Sequence, residues 1–366
     1  MLNRLYLISR KIARFSVNLL IIKEICVYLL KKWCRRWESN PHRQSLHDFE
    51  SCASTSSATS AQFSKSKSII LYRVKVVKTI ICMYNYTIKT LIIIRMFINL
   101  HNIMAHIISI VNQKGGVGKT TTAINLGAYL AEHGKNVLLV DLDPQANASS
   151  GLGLDYNNLN KGIYESLIGS HLIREVVVPS GVTGFRVAPA TQALAGANVE
   201  LVDVERREFR LSDALLEIKN DYDIVLIDCP PSLGILTING LVAADHIMIP
   251  VQAEYYALEG LGQLLNTIEL IKENIKEDLN ILGAVLTMFD KRTKLSGQVM
   301  DELYKYFPNK IFDAVVPRNV RLSEAPSHGK AISHYAPESK GAKAYSDLAK
   351  ELIDYLEEEK IKNKNL

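Results

Sequence analysis

Val111–Asn125 reads VNQKGGVGKTTTAIN. The stretch approaches G-x-x-x-x-G-K-[ST], a loop whose backbone N–H groups cradle phosphates, and departs from it in two places. Gly118, Lys119 and Thr120 supply the second glycine, the lysine and the hydroxyl; Gln113 stands where the first glycine belongs, and an unrequired Lys114 follows it. Gly115, Gly116 and Gly118 let successive N–H groups turn inward around an anion. A helix predicted over TTTAINLGAYLAEHG, ending at Gly134, adds the positive end of its dipole. In such a loop Lys119 reaches the β- and γ-phosphates and Thr120 offers its hydroxyl to Mg²⁺. A glycine-rich turn with no ligand is the plainer reading, and the GKTT core between strand and helix argues against it. This pattern leaves Lys114 without a role.

Around the loop the chain alternates. HIISIV, NVLLVDLD, FRVAPA, DIVLIDCPPS, HIMIPV and ILGAVLTMF are short β-rich runs, and helical stretches separate the later ones, notably Tyr255–Ile275. Apolar strands without polar alternation require a parallel sheet covered on both faces. The expectation is an α/β fold over residues 104–366: a doubly wound, mostly parallel sheet with helices on both faces. Ligands in such sheets bind at the carboxyl ends of strands. The loop, Asp141 and Asp143 of DLDPQ, and Asp228 of DCPPS all fall there. Carboxylates beside a triphosphate hold the waters around Mg²⁺ or orient an attacking water. Asp228, after VLI, is an acid of the Walker B type. Either Asp141 or Asp143 alone has a competing reading as a cap for the turn at Asp143–Pro144.

The formal charge of +5 conceals an asymmetry. Residues 1–103 carry 17 Lys and Arg against 4 Asp and Glu, and the remainder carries 26 against 34. The domain with the loop is therefore acidic, and whole-chain charge is no argument for nucleic-acid binding. Cys26, Cys34, Cys52 and Cys82 lie in the first segment and only Cys229 in the second; none forms a C-x-x-C pair, so neither a zinc nor a redox motif is indicated.

Residues 1–103 do not read as an ordinary domain. Apolar patches are interrupted by charge before any reaches the ~18–20 residues of a membrane span, no cleavage site marks a signal peptide, and a Ser-rich stretch over 50–68 reads as disordered. A helix-turn-helix lacks its paired amphipathic helices, and a basic membrane-surface segment is a further alternative. RRWESNPHRQSLHDFESCASTSSATSA resembles translation across a transfer-RNA gene, and Met104 opens MAHIISIVNQKGG. The expectation is a non-native or disordered extension over 1–103, with Met104 as the natural start.

KGGVGKTT, VLLVDLDPQANASSG, DIVLIDCPPSLG, PVQAEYYALEGLGQLL and VPRNVRLSEAPSHGKAI together resemble the ParA/Soj family of chromosome- and plasmid-partitioning ATPases. The loop alone indicates only the wider deviant Walker A class of P-loop NTPases; DLDPQANAS and PRNVRLSEAPS are more particular. The resemblance runs from about Met104 to Leu356, with Ala146 standing where the family commonly has Gly. It implies an ATPase using ATP and Mg²⁺ that forms a homodimer in its ATP state. It assigns Lys114, Lys119 and Asp143 to catalysis, with Lys114 crossing to the partner's phosphates. Gly115, Gly116, Val117, Gly118, Thr120 and Thr121 join the two lysines at the nucleotide, Pro317 and Asn319 flank adenine, and Thr120, Asp141 and Asp228 lie at the metal. It further implies a cytoplasmic, nucleoid-associated protein that binds DNA without sequence preference through Arg292 and Arg321, and a ParB-type partner that stimulates hydrolysis. Lys294, Lys330 and Lys340 are additions from charge alone, with solvated surface cations the plainer reading. A MinD-like membrane-positioning ATPase is the alternative; the acids in LIDYLEEEKIKNKNL suit a solvated helix end better than a membrane surface, and no stable membrane association is expected. One cysteine in the domain cannot ligate an iron–sulfur cluster.

Overall fold

The structure, a computed structural model, describes residues 105–155, 158–254, 260–308 and 310–364. The expectation for residues 1–103 lies outside the described residues. Seven strands form one sheet: β1 (His106–Ile110), β2 (Val137–Asp141), β3 (Val178–Pro179), β4 (Phe185–Ala188), β5 (Ile224–Asp228), β6 (His246–Gln252) and β7 (Asn280–Thr287), in the order β3-β4-β2-β5-β1-β6-β7. Every pairing is parallel except β3 with β4. All six predicted strands are present. The additional one, β3, is a Val-Pro pair at the sheet edge, where a residue without an N–H is tolerated.

β2 and β5 are buried at every residue, as central parallel strands must be. Their side chains divide by parity. Leu138, Val140, Val225 and Ile227 join a core with Leu236 and Leu241 of α2 (Ile235–Ala243) and Leu264 and Ile268 of α3 (Leu261–Asn274). Leu139 and Leu226, with Ile108 and Ile110, face the opposite way. They pack with Leu126 and Leu130 of α1 (Lys119–Glu132) and Leu348 and Leu352 of α5 (Lys340–Lys364). Helix α4 (Lys294–Tyr306) follows β7. The helix predicted over Tyr255–Ile275 begins later, at Leu261; residues 255–259 lie outside the described residues. Among the described residues no helix is long and apolar enough to cross a membrane.

Two polar contacts lock α1 into the second layer. Thr122 Oγ1 and the fully buried Tyr345 hydroxyl of α5 lie 3.1 Å apart, and Asn125 Oδ1 accepts the Ile332 N–H at 2.7 Å. The acids at the end of α5 only partly match the solvated end predicted for them. Glu357 is largely exposed beside Lys135, but Glu359 turns inward to within 3.2 Å of buried His246.

The short helix Asn147–Gly151 starts from an unusual residue. Its N-cap, Ala146, has φ 52° and ψ 33° and is fully buried. An L side chain in this left-handed region costs about 1–2 kcal/mol, which glycine avoids. Glycine's larger unfolded-state entropy offsets about 0.4–1 kcal/mol of that gain. Ala146→Gly is expected to stabilise the chain by up to about 1.6 kcal/mol, read as a higher urea midpoint at unchanged slope; a lower midpoint would show that the Ala146 methyl contributes more by packing than its backbone costs.

Candidate nucleotide and cation site

The loop leaves the carboxyl end of β1 and is held from two neighbouring strands. Asn112 donates from Nδ2 to the Pro250 carbonyl of β6 at 2.8 Å and accepts the Lys114 N–H on Oδ1 at 3.0 Å. Thr287, ending β7, donates its hydroxyl to the Val117 carbonyl at 2.7 Å. Gly116 and Gly118 have φ 73° and 92°, which a Cβ would strain. Added Cβ atoms at Gly115 and Gly116 would meet nothing within 4 Å, so this part of the loop borders open space. Gly118 N-caps α1. Thr120 and Thr121 open the first turn, half-buried, and Val117 is buried.

The two lysines differ. Lys119 is buried and curls back so that Nζ donates to the Lys114 carbonyl at 3.1 Å. Burial lowers its pKa, against the pull of Asp228, Cys229 and Asp143. Both backbone polar groups of Lys114 are thus held. Its ammonium makes no hydrogen bond or ion pair with any described residue.

Three buried acids lie at adjoining strand ends. Parallel register sets Asp141 of β2 directly opposite Asp228 of β5. Asp141 is well satisfied: Oδ2 accepts the Ser149 N–H at 2.8 Å and its hydroxyl at 2.7 Å, and Oδ1 accepts the Asp143 N–H at 3.2 Å. Complete burial still pushes its pKa up to about 6. Asp143 accepts the Gln145 N–H at 3.0 Å, the capping contact anticipated for one of this pair. Asp228 has no such partner. Both its oxygens are buried without a hydrogen bond of ordinary length to any described residue; the Thr120 hydroxyl acts on it only from a looser position. Burial and the Asp141 charge raise its pKa well above the carboxylate range, more than the Thr120 hydroxyl and the Lys119 ammonium lower it.

Three carboxyls gather near one ammonium, and of the two that are fully buried, Asp228 makes no hydrogen bond of ordinary length to a described residue. Unsatisfied carboxylate oxygens in an acidic site fit a hard divalent cation, reached directly or through its waters. The sequence pattern brought Lys119, Thr120, Asp141, Asp143 and Asp228 into one electrostatic cluster. It missed Asn112, Ser149 and Thr287, which position the loop and Asp141. Asn112 and Thr287 bond across 138 and 170 residues of sequence, so no local signal marks them.

The remaining candidates sit beyond β7. Phe289 and Pro317 form an isolated parallel bridge, and Asn319 caps the short helix Val320–Glu324 by accepting the Arg321 N–H at 2.8 Å. Arg292 is exposed and forks onto Asp290, with contacts of 2.9 and 2.7 Å. That contact holds the Asp290 carboxyl down to about 2. Arg321 is exposed and donates to Glu324 at 2.7 Å. Arg318, not singled out from sequence, is exposed and meets Glu254 at 3.0 Å. Lys330 and Lys340 are described, whereas the side chain of Lys294 lies outside the described residues.

The chain is similar to several known proteins. Residues 105–281 match a family model described as an AAA domain. The chain is 55% identical over 249 residues to the sporulation initiation inhibitor protein Soj of Bacillus subtilis, covering 68% of this chain and 98% of that protein. It is 53% identical to the chromosome partitioning protein ParA of Myxococcus xanthus, covering 68% and 88%. Cobyrinic acid a,c-diamide synthase from Mycobacterium smegmatis, solved with a bound ATP analogue and magnesium, superposes with a TM-score of 0.62 at 37% identity, covering 69% of this chain and 96% of that one.

The raised acids carry a pH signature. Asp141 and Asp228 titrate as a pair whose folded-state pKa lies above the unfolded value of 3.8, so between there and about pH 6 the folded chain binds more protons than the unfolded one. Stability of the ligand-free protein is therefore expected to fall as pH rises through that window. Asp141→Asn should flatten the fall. Urea unfolding at half-unit pH steps from 4 to 7 reads this directly, and an equal slope in both proteins would exclude the pair as its source.

Proposed function

Because this chain belongs to the ParA/Soj family of chromosome-partitioning ATPases, we propose that it binds Mg²⁺-ATP at the Val111–Asn125 loop, dimerises around it, and in that state holds DNA until a ParB-type partner stimulates hydrolysis. The observation that carries the reading is the orphaned Asp228 carboxyl among Asp141, Asp143, Thr120 and Lys119. Such a group is costly unless a cation completes it. Bound Mg²⁺ would supply charge neutralisation on the phosphate oxygens. Thr120 would hold it with its hydroxyl, and Asp228 and Asp141 would orient its waters.

The chain's own groups divide the remaining work. N–H groups of Gly115, Gly116, Val117, Gly118, Thr120 and Thr121 line the phosphates, with Lys119 among them. Asp143 orients the attacking water. Pro317 and Asn319, on the segment bridged to the end of β7, flank adenine. Lys114 reaches across to the phosphates of a second copy. Its backbone is held on both sides while its ammonium is without a partner among the described residues, which suits a group that acts outside its own subunit. A cation added to the γ-phosphate only when two copies close makes the dimer depend on the triphosphate.

The net-acidic domain needs a local basic surface to hold DNA. Arg292 and Arg321 are proposed to form it. Each is exposed, and each is paired with a carboxylate of its own segment. Exposed pairs of this kind are weak enough for a phosphate to displace the carboxylate. Binding of this kind would keep the protein on the nucleoid.

Lys114→Ala is expected to retain ATP binding and lose the ATP-dependent dimer, followed by gel filtration with and without nucleotide. A dimer of unchanged yield would remove Lys114 from the interface. Arg292→Ala combined with Arg321→Ala should abolish or severely weaken duplex-DNA binding while ATP hydrolysis without DNA continues. Filter binding across salt concentrations should show log K against log salt shallower by about 0.9 for each DNA phosphate that the variant no longer neutralises; an unaltered slope would place the DNA surface elsewhere.

A further inference from the structure

A second cluster of ligating side chains lies at the amino ends of β1 and β6, the edge of the sheet opposite the phosphate loop. His106 opens β1 and His246 opens β6. Ile108 is the register partner of His246, and His106 shares the pleat face of Ile108, so both imidazoles face the α5 layer. The rings stack with centroids 5.9 Å apart at 28°. Glu359 comes down from α5, with its Oε2 3.2 Å from His246 Nε2. One ligand atom from each of the three residues lies within 4.8 Å of the other two.

Independent of that spacing, the site contains polar atoms without partners. His106 Nε2 and His246 Nδ1 are buried with no hydrogen bond, and the His246 side chain is only 6% exposed. Ligation of a cation at His106 Nε2 supplies a physical reason for that unsatisfied nitrogen, and His246 meets the same cation through Nε2, the nitrogen beside Glu359, rather than through Nδ1. Tyr355 of α5 meets His246 edge to face with centroids 6.4 Å apart.

We propose that His106, His246 and Glu359 form a binding site for a divalent transition cation of the zinc class, pinning the end of α5 to the starts of β1 and β6. Two imidazoles and one carboxylate are a zinc donor set, with a fourth position open to water. The 3.2 Å between His246 Nε2 and Glu359 Oε2 is close to the roughly 3.3 Å edge of a tetrahedron with bonds of about 2.0–2.1 Å. Burial, with Lys360 and His246 next, holds the His106 pKa down to about 4. Asp245 and Lys135 also act on it, with opposite signs. β1 separates the site from the phosphate loop by roughly 15 Å at about 3.3 Å per residue, so the two cation sites are independently testable.

The test uses the full chain, stripped with chelator and desalted. ZnCl₂ is titrated by calorimetry, and CoCl₂ is followed through the visible band of four-coordinate cobalt. Glu359→Gln and His106→Gln are chosen because Glu359 is partly exposed on the last turns of α5 and His106 begins its strand, which leaves the core intact. The wild type should bind one equivalent that each variant loses or binds about a hundredfold more weakly, since even outer-shell partners are worth 10–100-fold. Zn²⁺ should raise the wild-type melting temperature and not that of the variants, and Glu359→Gln should bind Mg²⁺-ATP as the wild type does when zinc is absent. Equal equivalents and affinity in wild type and both variants would place any zinc on other residues, such as the cysteines of 1–103, and overturn the proposal. Absence of binding, or only the weak band of six-coordinate cobalt, would also overturn it.

Discussion

The constraint around which this molecule is arranged is a buried carboxyl group that no described residue satisfies with a hydrogen bond of ordinary length. Asp228 ends a strand that is buried on both faces, opposite Asp141 and next to a desolvated lysine. A fold does not keep such a group at the centre of its sheet for stability, because an apolar residue there would be cheaper. It persists where something from outside completes it. The parallel register that sets Asp141 and Asp228 side by side also delivers the loop to them, since β1 lies between β5 and β6 and its last residue is the partner of Asp228.

Around that centre the backbone is braced from a distance. The Asn112 amide ties the loop to β6 and the Thr287 hydroxyl ties it to β7, so three strands determine where the glycine N–H groups point. Ser149 performs the equivalent task for Asp141, and does so from a helix that begins at a left-handed alanine. Rigid support of this kind is what a phosphate site requires, because the electrostatic gain depends on dipoles already aimed before the ligand arrives. Lys119 is part of the braced set. Lys114 contributes only its peptide to it, and this separates the two lysines physically as well as by position.

Much of the architecture was legible in the residues. Six strands, the loop, the first helix and the placing of acids at carboxyl ends followed from uninterrupted apolar runs and from glycine spacing, because a doubly covered parallel sheet tolerates few other patterns. The start of α3 and the two-residue β3 were not legible. One depends on where a helix is nucleated against its neighbours, and the other is too short to show any period. The acids near the end of α5 read as a solvated run. Glu359 departs from that reading because its partner, His246, is 113 residues away and reaches it only across the α5 layer.

By itself, then, the chain determined the chemistry available: a phosphate loop with one lysine too many, acids at strand ends, and an acidic domain with a few candidate arginines. It determined these because glycine spacing and apolar runs are local properties that neighbouring residues enforce. Only the tertiary structure decided how the three acids divide their roles, leaving Asp141 satisfied, Asp143 capping a turn and Asp228 bare. Only it set His106, His246 and Glu359 together at the far edge of the sheet. Hydrogen bonding and burial are settled by residues distant in sequence, and a buried group's need for a partner becomes visible only once every neighbour is in place.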